Sequence, residues 1–398
     1  MAIRIISGIV LIILVFLVLI PLGLRWAGID ILPSRGGSTP APAVQRQGSA
    51  QEVFGVLARS VDAGARWKNA ALSENPSIPF PGIIFSFVIH PQNPDTLYVG
   101  SKGNGLWRSI NGGRTWNKMM DTARVIDPAA DVYDVEIISG EPDVLYIAVF
   151  QNNHGRVLKS EDLGTTWREV YATSADKTVV FDISIDRLNT DHLLIATGEN
   201  ALFESSNGGM TWRVKKWFTE SPLKILVNPR NSSELYVITS GGNVLKSATG
   251  GTQWGNLNVS AKEQESDSGV VLEQYPQGLF SFFGQSSNTS SRKLFLLDPT
   301  NPSRIYVSSS EGLLRSVDGG FTWKSIDLLL PNSLLPVTAV AISPGDASTI
   351  YVAAANEIHK SIDGGMTWSV TRLSIGVRIM GLIIHPSDPE IMFAILSK

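Results

Sequence analysis

The chain has 398 residues and no cysteine. Disulfides, thiolate zinc sites, iron–sulfur clusters, a cysteine nucleophile and a lipidated cysteine anchor are therefore excluded together. Charge is sparse as well: 17% of residues carry it, and 33 basic against 36 acidic side chains leave a net charge of −3. No chain-wide basic field for nucleic acid exists. Of only five histidines, His90 and His385 both precede proline at matching places, which marks turn residues rather than metal ligands. No phosphate-cradling glycine loop or nucleophile elbow stands in context, so no cofactor and no metal is expected.

Glycine and tryptophan, by contrast, are plentiful, at 36 and 10. Seven of the tryptophans close one octapeptide, with Ser first, Asp or Asn usually third, Gly fifth and Thr usually seventh. The copies are SVDAGARW (60–67), SINGGRTW (109–116), SEDLGTTW (160–167), SSNGGMTW (205–212), SATGGTQW (247–254), SVDGGFTW (316–323) and SIDGGMTW (361–368). They start 42–51 residues apart, except for one gap of 69. That period fits a four-stranded propeller blade, and the text between boxes repeats in step: an apolar strand, a Pro-containing turn, a Leu/Ile-Tyr-Val strand and a short strand entering the box. Each box reads as a hairpin loop. Gly supplies positive φ, Asp or Asn bonds nearby backbone N–H groups, and a Trp folded over the hairpin buries roughly 150–250 Å². At about 25 cal/mol per Å² this is a gross few kcal/mol per blade.

Residues 53–68 supply only the third and fourth strands of a blade, and residues 379–398 only the first and second. Together they complete one blade. The expected fold is all-β, a seven-bladed β-propeller over 52–398 whose closing blade is shared by the two ends of the chain, which leaves no open edge at the seam. Ahead of it, residues 5–24 form a charge-free stretch of twenty, long enough to span a bilayer core of about 30 Å. Residues 1–26 are thus expected to be a transmembrane anchor and 27–51, rich in Pro, Gly and Ser, a flexible tether. Arg4 on one side and Arg25 and Arg35 on the other leave the orientation undecided by charge.

The octapeptides resemble the Asp-box, or bacterial neuraminidase repeat. The blade text over 53–398 is similar to the propellers of photosystem II assembly and stability factors, sortilin-type receptors, xyloglucanases and sialidases. This resemblance implies the seven-bladed fold and an extracytoplasmic body, with the boxes on the rim away from any active site. Two boxes depart from the pattern: Arg66 stands for Thr in the first, and Thr249 and Gln253 for Asp and Thr in the fifth.

A sialidase-like site is excluded, because no Arg-Ile-Pro occurs and the tyrosines at 98, 146, 236, 306 and 351 are repeated core residues rather than nucleophiles. A glycosidase needs two carboxylates about 5–9.5 Å apart. Asp134 and Asp182, at matching places where the innermost strands of neighbouring blades begin, are the best such pair. The long gap holds an acidic run and then EQYPQGLFSFFGQ, in which Tyr275, Leu279, Phe280, Phe282 and Phe283 form a candidate interaction patch. The main expectation is a membrane-anchored, non-catalytic platform that contacts another membrane or envelope protein. The alternative is a carbohydrate-active propeller, either a glycan binder or a hydrolase using Asp134 and Asp182.

Overall fold

The computed structural model describes residues 45–46, 55–121, 123–257, 259, 294–298, 300–309, 312–328, 330–374 and 376–397. The apolar run at 5–24 and the candidate patch Tyr275, Leu279, Phe280, Phe282 and Phe283 lie outside the described residues. Among the described residues no helix is long and apolar enough to cross a membrane.

Seven antiparallel sheets form the ring. Blade one is Ile84–Ile89, Leu97–Ser101, Leu106–Ser109 and Asn117–Lys118; blade two is Asp131–Ile137, Leu145–Gln151, His154–Ser160 and Arg168–Ala172. Blade three is Val180–Ile185, Leu193–Thr197, Ala201–Ser205 and Arg213–Trp217; blade four is Pro222–Asn228, Asn231–Thr239, Val244–Ser247 and Gly255–Asn256. Blade five is Phe295–Leu297, Ile305–Ser309, Gly312–Ser316 and Lys324–Ile326; blade six is Val337–Ser343, Asp346–Ala354, Glu357–Ser361 and Ser369–Arg372. Blade seven joins Arg378–Ile384 and Met392–Ser397 to Leu57–Ser60 and Lys68–Asn69, in register from Leu57 opposite Ile395 to Ser60 opposite Met392. The two ends of the propeller therefore close it with main-chain hydrogen bonds, as the half-blades in the sequence require. Two residues of the expected tether, Gln45–Arg46, add a parallel strand outside blade six, opposite Ser369 and Val370.

Strand direction alternates within a blade. The boxes and the Pro-containing turns thus share one end of the ring, and the starts of the innermost strands share the other. Second strands such as Leu97–Ser101 and Leu193–Thr197 are buried along their whole length. Neighbouring blades cover both of their faces, which is why they read as unbroken apolar runs.

Each box follows one hydrogen-bond plan. In residues 361–368, Ser361 Oγ donates to Asp363 Oδ1 (2.8 Å) and accepts from the Gly365 N–H (2.8 Å), while Asp363 accepts from the Thr367 N–H (2.9 Å) and hydroxyl (2.6 Å). Those bonds, the Thr367 hydroxyl first, hold the Asp363 carboxyl well below the usual carboxylate range. In the first box the Arg66 guanidinium replaces the missing Thr hydroxyl, with Nε 2.6 Å from Asp62 Oδ2. In the fifth box the Thr249 hydroxyl takes the Asp role for the Gln253 N–H at 2.9 Å. The fourth and fifth box positions both have positive φ, as at Gly319 (74°) and Gly320 (94°). At the fifth position a second constraint adds to this one: a Cβ on Gly113 would lie 2.6 Å from Phe393 of the preceding blade. Only glycine meets both demands.

The repeated tyrosines and the basic residues facing them lace blade to blade. Tyr98 Oη donates to Leu163 O (3.1 Å), Tyr146 Oη to Gly208 O (2.9 Å) and Tyr351 Oη to Ala63 O (3.3 Å), in each case the fourth residue of the next blade's box. From blades four and five the cation reaches that carbonyl instead: Lys246 Nζ to Gly319 O and Arg315 Nη1 to Gly364 O, both 2.8 Å.

Candidate functional site

The innermost strands of successive blades lie side by side without forming a ladder, so their edge N–H groups need side-chain acceptors. Blades one to three supply them from a single repeated position. Ser86 Oγ accepts from the Val135 N–H (3.2 Å), Asp134 Oδ2 from the Ile183 N–H (3.1 Å) and Asp182 Oδ2 from the Ile225 N–H (2.8 Å). The remaining oxygens are engaged too: Asp134 Oδ1 accepts from Ser86 Oγ at 3.2 Å, and Asp182 Oδ1 pairs with Lys224 Nζ. Lys224 occupies the same strand position in blade four and ends the series.

The sequence puts Asp134 and Asp182 at matching positions of the innermost strands of neighbouring blades, and each stands just after the bulge of its strand. Both are buried, Asp182 to 2% exposure, and both act as acceptors for the next blade's main chain. Glu136 and Lys224 were not singled out from the sequence. Their signal was present in the alternation Asp-Val-Glu of VYDVEII, which puts two acids on one face of a strand whose other inward residues are apolar, and in PLKILVN, whose Lys aligns with the two Asp residues.

Three acids thus share one cation on the inner strands. Burial, reinforced by Asp134, pushes Glu136 up to about 8, and burial raises Asp182 to about 7 against the pull of Lys224. Burial opposes the charge on Lys224, but Asp182, Asp134 and Glu136 outweigh it and hold the ammonium above the usual lysine range. The cluster as a whole thus favours a proton near neutral pH, with Glu136 raised furthest.

Immediately before these polar residues, at bulges where the inner strands begin, stand Phe85, Tyr133 and Phe181. Phe85 and Tyr133 stack with centroids 5.0 Å apart, and Tyr133 meets Phe181 edge-on at 6.1 Å. This row crosses blades one to three on the face opposite the boxes. At the end of blade three's outer strand, on that same face, Trp217 is 58% exposed and packs edge-on against Phe203 at 6.5 Å.

With this geometry in place, the chain can be set beside known proteins. No family model matches it. The xyloglucanase Xgh74A of Acetivibrio thermocellus is 26% identical over 286 residues, 69% of this chain and 29% of that protein. The xyloglucanase of Hypocrea jecorina is 25% identical over 294 residues, 68% of this chain and 29% of that one. The chain spans about three-tenths of the length of these relatives. Among solved structures, the GH74 enzyme of Niastella koreensis superposes with a TM-score of 0.59 at 17% identity, covering 79% of this chain and 51% of that one. YCF48 from Cyanidioschyzon merolae gives 0.57 at 15%, covering 79% and 95%. At these identities the superpositions establish the shared propeller fold. The sequence kinship runs to xyloglucanases, and it corrects the expectation of a non-catalytic assembly platform: the carbohydrate-active alternative is the better supported.

Proposed function

We propose that this propeller is carbohydrate-active and binds a glycan chain on the face opposite the boxes, across blades two and three. The kinship with xyloglucanases over 286 residues carries the reading. Tyr133 and Phe181 near the axis and Trp217 at the rim offer the apolar ring surfaces that pyranose C–H faces pack against, and Glu136, on the same strand as Tyr133, adds a polar group to the site. Binding is favoured over hydrolysis because both oxygens of Asp134 and of Asp182 are already committed within the ring, whereas a hydrolytic pair must reach the sugar. The octapeptides are read as Asp-boxes, structural staples remote from this surface.

Affinity electrophoresis through xyloglucan and mixed-linkage β-glucan, with reducing-sugar release followed in parallel, tests the proposal. Retardation is expected, weakened about tenfold by Trp217→Ala or Tyr133→Ala. A protein that migrates freely through every polysaccharide, or whose retardation survives both substitutions, would overturn it. Sugar release lost in Asp182→Asn with the fold intact would convert the binder into a hydrolase.

A further inference from the structure

We propose that the box face of blades five, six, seven and one rests on a lipid bilayer surface. Every box shares the same Ser–Gly hydrogen bond and the same pair of positive-φ residues, so its second and sixth positions project alike in all seven blades. The residues at those positions are not alike. Of the 13 exposed large apolar side chains among the described residues, six are Val317, Phe321, Ile362, Met366, Val61 and Ile110, on the boxes of four consecutive blades. Phe321 is 82% exposed. The corresponding pairs in blades two, three and four are Glu161 and Thr165, Ser206 and Met210, and Ala248 and Thr252, with Met210 as the one large apolar side chain. The two remaining positions of the four blades are Ala65 and the exposed Arg114, so the apolar residues make an arc on one half of the rim with a cation at its blade-one end.

The choice of a bilayer comes from the path of the chain. Residues 5–24 are free of charge and long enough for a hydrocarbon core. The chain leading from them joins the propeller at Gln45–Arg46, on blade six, one of the two central blades of the arc. The pairing is parallel, with Gln45 opposite Ser369, the residue that follows the box of that blade, so the strand enters from the box end. The box carboxylates of the arc's two most apolar blades, five and six, are internally satisfied. Asp318 accepts from the Thr322 N–H (2.9 Å) and hydroxyl (2.5 Å), and Asp363 accepts from the equivalent pair, so neither presents a bare carboxylate to lipid. Docked in this way, the propeller turns its box face to the membrane and the opposite face, with Tyr133, Phe181 and Trp217, to solvent.

The chain's lack of cysteine makes the test direct. Single variants Ile110→Cys, Phe321→Cys, Ile362→Cys and, outside the arc, Met210→Cys are labelled with a nitroxide in the full-length protein. Each is reconstituted into phosphatidylcholine–phosphatidylglycerol vesicles at less than one chain per vesicle. Labels on the arc are expected to sit about 5–10 Å into the headgroup–acyl boundary, relaxed by dissolved oxygen and shielded from an aqueous nickel chelate. Met210→Cys is expected to show the reverse. Equal nickel access at all four sites overturns the proposal. So does shielding that appears only with several chains per vesicle, which would assign the arc to a second copy, or only on adding another protein.

Discussion

Tyr146 and Tyr306 occupy the same strand position in blades two and five, and both are fully buried. They differ in one respect. Tyr146 Oη donates to Gly208 O of the next blade at 2.9 Å, whereas among the described residues Tyr306 Oη has no hydrogen-bond partner, its role being taken by Arg315 reaching Gly364 O at 2.8 Å. Tyr146→Phe removes a buried hydrogen bond worth about 1 kcal/mol net and takes a donor from a buried carbonyl, so a loss of about 1–3 kcal/mol is expected. Tyr306→Phe removes an unpaired buried hydroxyl and is expected to be neutral or stabilising by up to about 1 kcal/mol. Arg315→Met should then be costly where Tyr306→Phe is not. Urea denaturation followed by the fluorescence of the box tryptophans measures all three. Equal midpoint shifts for the two tyrosine variants would refute the assignment of inter-blade lacing to this hydroxyl and reduce the repeated tyrosine to a packing residue.

Deleting residues 379–398 removes the first and second strands of blade seven and should abolish the cooperative melt, which calorimetry would show; an unchanged melting temperature would contradict ring closure. Lys224→Met leaves Asp182 buried without its cation, and because the lysine side chain is 43% exposed and screened by water, the expected cost is about 1–2 kcal/mol in denaturant rather than the 3–5 of a sealed pair. The pH dependence follows two opposite signs. Glu136 rises from 4.5 unfolded to about 8 folded, so the native state alone keeps that proton in the interval and stability falls as pH rises across it; Glu136→Gln should flatten that decline in melting temperature. The box carboxylates run the other way: Asp318, held at about 2 by the Thr322 hydroxyl and N–H against the effect of burial, loses its contribution as pH falls from 3.8 through that value, and Asp318→Ala should blunt the acid limb of the same curve.

The sequence by itself determined the architecture. Seven boxes at near-constant spacing count the blades, since each box is a local hairpin whose Ser, Asp, Gly and Trp requirements are met within eight residues. The half-blades at 53–68 and 379–398 require the closing ladder, because strand pairing is the only way to satisfy both edges. The roles of individual polar residues were decided elsewhere. Asp134 and Asp182 read as a carboxylate pair, but only the ring brings the Ile183 and Ile225 N–H groups against them and turns candidate acids into acceptors for a neighbouring blade. Glu136 and Lys224, 88 residues apart, share a charge cluster for the same reason. The apolar arc is also tertiary: Val61, Ile110, Val317, Phe321, Ile362 and Met366 are scattered along the chain and become one surface only when blade seven closes the ring between blades six and one. Local hydrogen bonds are written in local sequence, whereas a channel or a rim is assembled from positions that repeat once per blade.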